Sequence, residues 1–438
     1  MKAVNIGVIG LGTVGAGTVD LLHRNQEEIT RRAGREIKVT CAAVRDLSRG
    51  RHCDTAGITL TTDPNEIVSD PSIDVVVELI GGCEVAFDLV TAALAQGKHV
   101  VTANKALIAT RGNEIFEQAS TAGLVVAFEA AVAGGIPVIK ILREGLSGNR
   151  VEKLIGILNG TCNFILSEMQ EKDADYAEVL TQAQQAGYAE ADPYFDVEGV
   201  DAAHKLTILA SIAYGVHLNF QSVYVEGISA LTRDDIIFAQ EMGYRIKHLG
   251  MARRSTTGLD LRVHPCLIAE DHLLANVTGV MNAVVVEGDA VGETLYYGAG
   301  AGAQPTASAV VADLIDVVRT LTADPGNRVP HLAFQASALA KPGIIPLAEV
   351  YCAHYLRLTV QDQPGVLADI TKILGGHGVS IKAIHQHGTG DEDGKVPVVI
   401  VTHVAQEAAV AAAVSDIEAL PASAHPVVRI RLETLEGH

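Results

Sequence analysis

The sequence predicts an α/β chain in three parts, and three stretches predict it. An apolar run at residues 4–9 passes at once into Gly10-Leu11-Gly12-Thr13-Val14-Gly15 and then a helical pattern. That order opens a doubly wound parallel sheet. From about residue 137 to 304, longer helices and strands surround one acidic stretch at 187–206, GYAEADPYFDVEGVDAAHKL. From His354 onward, alternating strands and amphipathic helices follow in the order βαββαβ, the ferredoxin-like pattern.

The first part reads as a Rossmann dinucleotide-binding domain over residues 1–136. Its glycines let the backbone approach a pyrophosphate, which rests on the helix N-terminus. Gly10, Gly12, Thr13, Val14 and Gly15 are therefore cofactor candidates, against the alternative of a tight turn without cofactor. The next strand, 37–44, ends in Arg45-Asp46. An acid at that point would select NAD, whereas Arg45 can pair with the 2′-phosphate of NADP. NADP is favoured, and Asp46 keeps NAD open. A strand at 74–80, a helix at 84–96 and a strand at 99–102 then lead to Thr102-Ala103-Asn104-Lys105. Ligands bind at the carboxyl ends of such strands, so Thr102 and Lys105 are expected at the crevice. A solvated loop lysine is the alternative. The strand 124–128 ends in Glu129-Ala130-Ala131-Val132-Ala133-Gly134-Gly135-Ile136. One carboxylate before small residues with inward carbonyls would suit a monovalent cation, although an ordinary strand-to-helix turn reads the same. A second glycine-rich turn, ending at Gly302, precedes a helix near 305–320 expected to complete the first domain.

The acidic stretch carries Glu190, Asp192, Asp196, Glu198 and Asp201, then the single lysine Lys205. Pro193 and Gly199 break any earlier helix, so the early acids are expected on a loop and the helix near Val200 or Asp201. One helical turn then sets Asp201 beside Lys205. The apolar run that follows, LTILASIAYG, must be buried and draws the lysine toward low dielectric. A lysine there needs a charge partner and is a candidate for proton transfer. A surface ion pair at a helix start remains the bland alternative.

With 438 residues, 48% hydrophobic content, 42 glycines and no tryptophan, the chain has ample material for two or three cores. A net charge of −19 argues against nucleic acid or an anionic membrane surface as partner. The six cysteines show no C-x-x-C spacing and no obvious histidine partner in sequence. They are expected as small core residues in a reducing cytoplasm. The first residues run straight into the fold, so no signal peptide is expected. No window reaches the roughly 18 apolar residues of a membrane span. Residues 323–352, with Pro325, Pro330, Pro342 and Pro346, read as a linker. The unit beyond, 353–438, is expected to fold apart from the rest and, lacking evident catalytic residues, to bind or regulate. Its turn Asp362-Gln363-Pro364-Gly365 opens a helix, where exposed N–H groups can take a carboxylate.

In combination, the fingerprint, TANK, EAAVAGGIP, NGT and above all GYAEADPYFDVEGVDAAHK resemble the homoserine dehydrogenase family, in order and spacing. The resemblance covers about residues 1–320, and the tail resembles an ACT domain through D-Q-P-G-V-L. It implies a Rossmann domain, a central α/β catalytic and dimerisation domain at 137–304, and an ACT domain. It implies NAD(P)-linked interconversion of aspartate 4-semialdehyde and homoserine on the route to threonine and methionine. By resemblance, Lys205 is the proton-transfer lysine, Lys105 stands at substrate and nicotinamide, and Asp201 orients the lysine. Glu190 and Asp201 bind substrate, with Thr161, Tyr188 and Asp196 as neighbours, and Gly302 joins the cofactor site. Glu129, Val132, Gly134 and Ile136 match a monovalent-cation loop, Na⁺ being expected. Asp362, Gly365, Val366 and Leu367 would meet an amino-acid effector, threonine, and a homodimer or homotetramer is implied. No aspartate-kinase segment precedes, so a single activity is expected. Two rivals are a semialdehyde dehydrogenase, which needs a nucleophilic cysteine, and a non-catalytic sensor, which needs no lysine among carboxylates.

Overall fold

A computed structural model describes residues 2–321, 328–386, 394–424 and 426–433, in two compact units. Residues 323–327 of the expected linker, Pro325 among them, and His425 at the expected start of the last strand lie outside the described residues.

The first unit holds residues 1–154, 201–223 and 281–342. Its sheet has six parallel strands in the order Thr59–Thr61, Ile37–Ala43, Val4–Ile9, Val75–Glu78, His99–Thr102, Val126–Ala127. The near-continuous apolar runs suit a sheet covered on both faces; Val4, Ile6, Val8, Val75 and Val77 are all 0% exposed. Where one helix was expected after the fingerprint there are two, Thr13–Arg24 and Gln26–Ala33. Asn25 leaves helical geometry between them, and Gly34, with φ 77°, ends the second. The helix Ala303–Thr320 crosses the fingerprint helix so tightly that a Cβ on Gly17 would lie 2.8 Å from the Ala303 carbonyl oxygen.

Much of the expected linker is packed structure. Arg328 donates to the Gly123 carbonyl, His331 stacks on Phe116 and Leu332 is buried. Prolines keep the regular elements there short, as in the single turns Ala336–Ala338 and Leu347–Glu349, and leave apolar side chains able to pack. The helix Val200–Tyr214 begins where the sequence placed it, and every residue from Asp201 on is buried.

The second unit holds residues 155–200, 224–280 and 343–438. The expected central segment 137–304 is thus shared between the two units. In this unit Tyr244–Arg254 pairs antiparallel with Leu259–Ala269, which pairs in parallel with Val428–Leu432. Tyr351–Gln361, Lys395–Thr402 and Ile381–Gln386 follow across the sheet. The C-terminal βαββαβ module is present, but it does not stand apart as expected. Its last strand hydrogen-bonds to a strand from the middle of the chain. One face of its sheet is covered by its own helices, Leu356, Leu358 and Val360 packing with Ile370, Leu374, Val410 and Ile417. On the other face Tyr355, Ile430 and Leu432 pack with Cys162, Ile165 and Phe238. A sheet with two apolar faces cannot leave one of them in water, so the module shares a core with the middle of the chain. No helix among the described residues is long and apolar enough to cross a membrane.

Candidate active site

The fingerprint glycines divide the work. Gly10 has φ +106°, which permits the turn, and a Cβ on Gly15 would lie 2.0 Å from the Gly10 carbonyl oxygen. A Cβ on Gly12 would meet nothing within 4 Å, so the helix start stays open. Thr13 and Val14 open that helix, whose first N–H groups have no intrahelical partners. An open helix start between two glycines required by the backbone fits a dinucleotide pyrophosphate. Gly302, φ +118°, caps the helix Ala303–Thr320 beside it. Arg45 is exposed just past the second strand. Asp46 turns its carboxylate onto Ser48, accepting from the backbone N–H at 2.8 Å and the hydroxyl at 2.7 Å. Those two bonds hold its carboxyl below its ordinary value.

At the ends of the fourth and fifth strands, Glu78 and Thr102 are fully buried, and the Thr102 hydroxyl donates to Glu78 Oε2 at 2.6 Å. The Thr102 hydroxyl also accepts from Asn104 N–H at 3.0 Å, which ties the strand end to the helix that follows. Glu78 also accepts from the N–H groups of Ile80 and Gly81. Asn104 caps the helix Lys105–Thr121, its Oδ1 accepting from Leu107 N–H at 3.1 Å while its Nδ2 donates to the Gly82 carbonyl. This fixes the helix whose first residue is Lys105.

Lys105 and Lys205 meet on one carboxylate. Lys105 Nζ lies 2.7 Å from Asp201 Oδ1 and Lys205 Nζ lies 2.6 Å from Asp201 Oδ2. The Asp201 side chain is 3% exposed, that of Lys205 10% and that of Lys105 36%. Burial alone would raise the Asp201 carboxyl, but the charges of Lys205 and Lys105 outweigh it and hold the group well below the usual carboxylate range. Asp201 is therefore ionised throughout the working pH range, and the exposed-ion-pair alternative is excluded for it. His204, between Asp201 and Lys205 in sequence, is pushed down to about 4 by burial and packs against the Phe220 ring, tilted by 36°.

In the second unit, Thr161 donates its hydroxyl to the Tyr188 carbonyl at 2.7 Å, and Tyr188 meets Phe164 edge to face. Asn159 caps the helix Gly160–Lys172 and donates through Nδ2 to Asp196 Oδ1 at 2.8 Å. Asp196 was expected on a loop; it lies on a short helix, Tyr194–Val197, because Pro193 starts a turn instead of preventing one. Glu190 is exposed, with its carbonyl accepting from Gln184. The capping roles of Asn104 and Asn159, and the part played by Glu78, were not read from the sequence. An Asn just before a helix was the available signal for the first two; a Glu closing an apolar strand was the signal for the third.

Glu129 is 3% exposed, and its two oxygens accept from the N–H groups of Ile139 (3.0 Å) and Lys140 (2.9 Å). Burial pushes its carboxyl up to about 7, against those bonds. Asp313, also buried, accepts from Glu129 N–H, and burial raises its carboxyl too. Ala133 and Gly134 are left-handed (φ 54° and 40°), bending the loop through Val132 and Ile136. A buried carboxylate on a loop without Cys or His offers only oxygen ligands, the donor type a hard cation takes, while the Ile136 carbonyl accepts from Val138 N–H at 2.7 Å. In the turn Asp362–Gly365, Gly365 (φ 99°) caps the helix Val366–Gly376, and Gln386 donates to Asp362. Val366 and Leu367 send their side chains into the module's core, since they belong to its apolar stripe.

Two cysteines do have histidine partners, contrary to the sequence reading. Cys266 Sγ lies 3.2 Å from His264 Nδ1, and Cys352 lies 3.6 Å from His354 Nε2. The residues are two apart on strands, so they share a face. Burial raises both thiols, Cys352 to about 12, so neither is an activated nucleophile.

Comparison with known proteins gives concordant matches. The family model described as "Homoserine dehydrogenase" matches residues 137–315, its NAD binding domain matches 10–129 and the ACT domain matches 354–422. A curated homoserine dehydrogenase of Pseudomonas aeruginosa is 59% identical over 435 residues, covering 99% of this chain and 100% of that one. Another, of Neisseria gonorrhoeae, is 52% identical with the same coverage. The crystal structure of a homoserine dehydrogenase from Thiobacillus denitrificans superposes with a TM-score of 0.94, at 59% identity, covering 99% of each chain. A hyperthermophilic archaeal homoserine dehydrogenase mutant, solved in complex with NADPH, matches 72% of this chain and 98% of its own at 25% identity and a TM-score of 0.60.

Proposed function

This chain belongs to the homoserine dehydrogenase family of NAD(P)-dependent oxidoreductases, and from that premise we propose that it reversibly reduces L-aspartate 4-semialdehyde to L-homoserine on the route to threonine and methionine. The observation that carries this reading is Asp201 bridging Lys105 and Lys205. A nicotinamide held at the first domain would supply the hydride. The oxygen of the reduced aldehyde then becomes an alkoxide, which needs positive charge and one proton. Lys205 stabilises that charge and donates the proton from Nζ; in the reverse direction it accepts it. Asp201, ionised, keeps Lys205 and Lys105 oriented. Glu190 and Asp196 offer negative charge to the substrate's α-ammonium, with Thr161 and Tyr188 beside them.

Arg45 favours NADP over NAD, because it is exposed past the second strand while Asp46 is occupied by Ser48. Glu129, with the carbonyls of Val132, Gly134 and Ile136, is the proposed site of a monovalent cation, Na⁺ first. The ACT module is proposed to bind threonine at the turn Asp362–Leu367 and lower activity by feedback. A homodimer or homotetramer is part of the same reading, as is the cytoplasm, which suits six free thiols.

The test is absorbance at the NADPH band when homoserine and NADP⁺ are mixed with the purified protein. Growth of the band, reversed by aspartate 4-semialdehyde with NADPH, is expected. No change with either NADP⁺ or NAD⁺ would end the proposal.

A further inference from the structure

The acidic stretch ends against a short strand, Tyr224–Val225, and the loop that follows it. Ile228 N–H donates to the Val197 carbonyl at 2.8 Å, and a Cβ on Gly227 would lie 2.4 Å from Glu198 Oε2. Gly199, φ +82°, approaches the His248 ring so closely that a Cβ would lie 3.1 Å from it. His248 Nε2 in turn lies 3.0 Å from the Glu226 carbonyl oxygen, which assigns the proton to that nitrogen. Residues 197–199 therefore rest on residues 225–228, and Asp201 follows two residues later in the chain.

Residues 225–228 are themselves tied to the C-terminal module. Arg431, on its last strand, is 0% exposed and donates to Glu226 Oε2 at 2.8 Å. The same guanidinium pairs with Glu407 at the start of the module's second helix and lies over the Tyr224 ring. Tyr224 also donates its hydroxyl to Glu226 Oε2, at 2.7 Å. Cys352, His354 and Glu407 lie close enough together for a metal ion, but Glu407 is already matched by Arg431 and Arg429. Glu407 therefore serves as an ion-pair partner there.

We propose that Arg431 and Glu226 are positioning residues for homoserine binding: the guanidinium of the C-terminal module, acting through Glu226, holds the end of the acidic stretch in its substrate-binding arrangement. This rests on the reading of that stretch as the substrate site. Neither residue touches a reacting atom. Each acts by fixing residues 197–199, and a change in the module that moves Arg431 would change substrate affinity before anything else.

The test compares Glu226→Ala, Glu226→Gln and the control Glu190→Gln in the whole enzyme. Glu226→Ala should raise the KM for homoserine about three- to thirtyfold, the usual range for a coupling residue. Its KM for the cofactor and its kcat should stay within about twofold of the parent. Hydrogen exchange over residues 194–201 should speed up, and Glu226→Gln, which keeps an acceptor for Arg431, should fall between. An unchanged homoserine KM in folded Glu226→Ala overturns the proposal. So does a parallel rise in both KM values, which would mean general loosening. If the Ala variant does not fold, the same split in Glu226→Gln decides. Should Glu190→Gln leave the homoserine KM unchanged, the substrate-site reading fails separately, while the Glu226 variants still report on their own contact.

Discussion

Asp201 and Lys205 stand one turn apart on a buried helix with Oδ2 and Nζ 2.6 Å apart, and the other oxygen of the same carboxylate holds Lys105 at 2.7 Å. One anion thus carries two cations. Lys205→Met should lower kcat by about 10²-fold or more with cofactor binding retained. Near-normal turnover in a folded variant would reduce the pair to a structural one. Asp201→Asn leaves two ammonium groups without their shared counter-ion, which favours their deprotonation. The alkaline limb of the rate profile for aldehyde reduction should therefore move to lower pH, and a stopped-flow or steady-state pH series measures it.

The Arg45→Ala variant addresses cofactor choice. A charge-assisted hydrogen bond contributes about 1.5–3 kcal/mol, so NADP⁺ binding should weaken roughly ten- to a hundredfold by fluorescence titration. NAD⁺ binding should be nearly unchanged. Equal losses for both would place Arg45 in the fold or at the adenine.

Glu129 yields a prediction with a definite sign. Its folded-state value, about 7, lies above its ordinary 4.5. Between those values the folded chain keeps the proton and the unfolded chain has lost it. Stability from this group is therefore greatest below about 4.5 and falls as pH rises toward 7. A cation that pairs with the ionised carboxylate offsets the loss only where the group is ionised. Na⁺, compared with a bulky organic cation at equal ionic strength, should raise Tm more at about pH 8 than at about pH 5.5. The difference should vanish in Glu129→Gln, and EDTA should leave activity intact. A Na⁺ effect that persists in the Gln variant would remove Glu129 from the site.

Cutting the chain near Pro346 should not release an active core. Arg357 pairs with Asp235, Glu433 with Arg253 and Arg262, and Arg431 with Glu226. The cut takes Arg357 from Asp235, whose side chain is 0% exposed, and uncovers Ile165 and Phe238; losing the partner of such a buried charge costs about 3–5 kcal/mol, and a whole protein has only about 5–15. The truncated chain is expected to aggregate or to lose cooperative melting; a soluble chain with full activity would contradict the shared core. Feedback is therefore tested on the intact enzyme. Threonine should inhibit it, and Asp362→Ala should relieve the inhibition with the uninhibited rate unchanged. If the variant is inhibited as strongly as the parent, Asp362 is not part of the effector site.

Local order was legible in the sequence wherever a short repeat or a single turn carries it. The fingerprint turn, the helix from Val200, the Asp201–Lys205 pair and the βαββαβ pattern all follow from spacings of two, four or a few residues. Backbone geometry converts such spacings directly into faces and turns. Only tertiary structure decided what meets across long separations. Lys105 reaches Asp201 because Asn104 fixes the start of its helix, and Glu129 accepts bonds from Ile139 and Lys140. The final strand pairs with Leu259–Ala269, and Arg431 joins Glu407 to Glu226. No periodicity encodes these pairings. They are set by the need to cover both faces of a sheet and to match each buried charge, and those requirements exist only once the chain is folded.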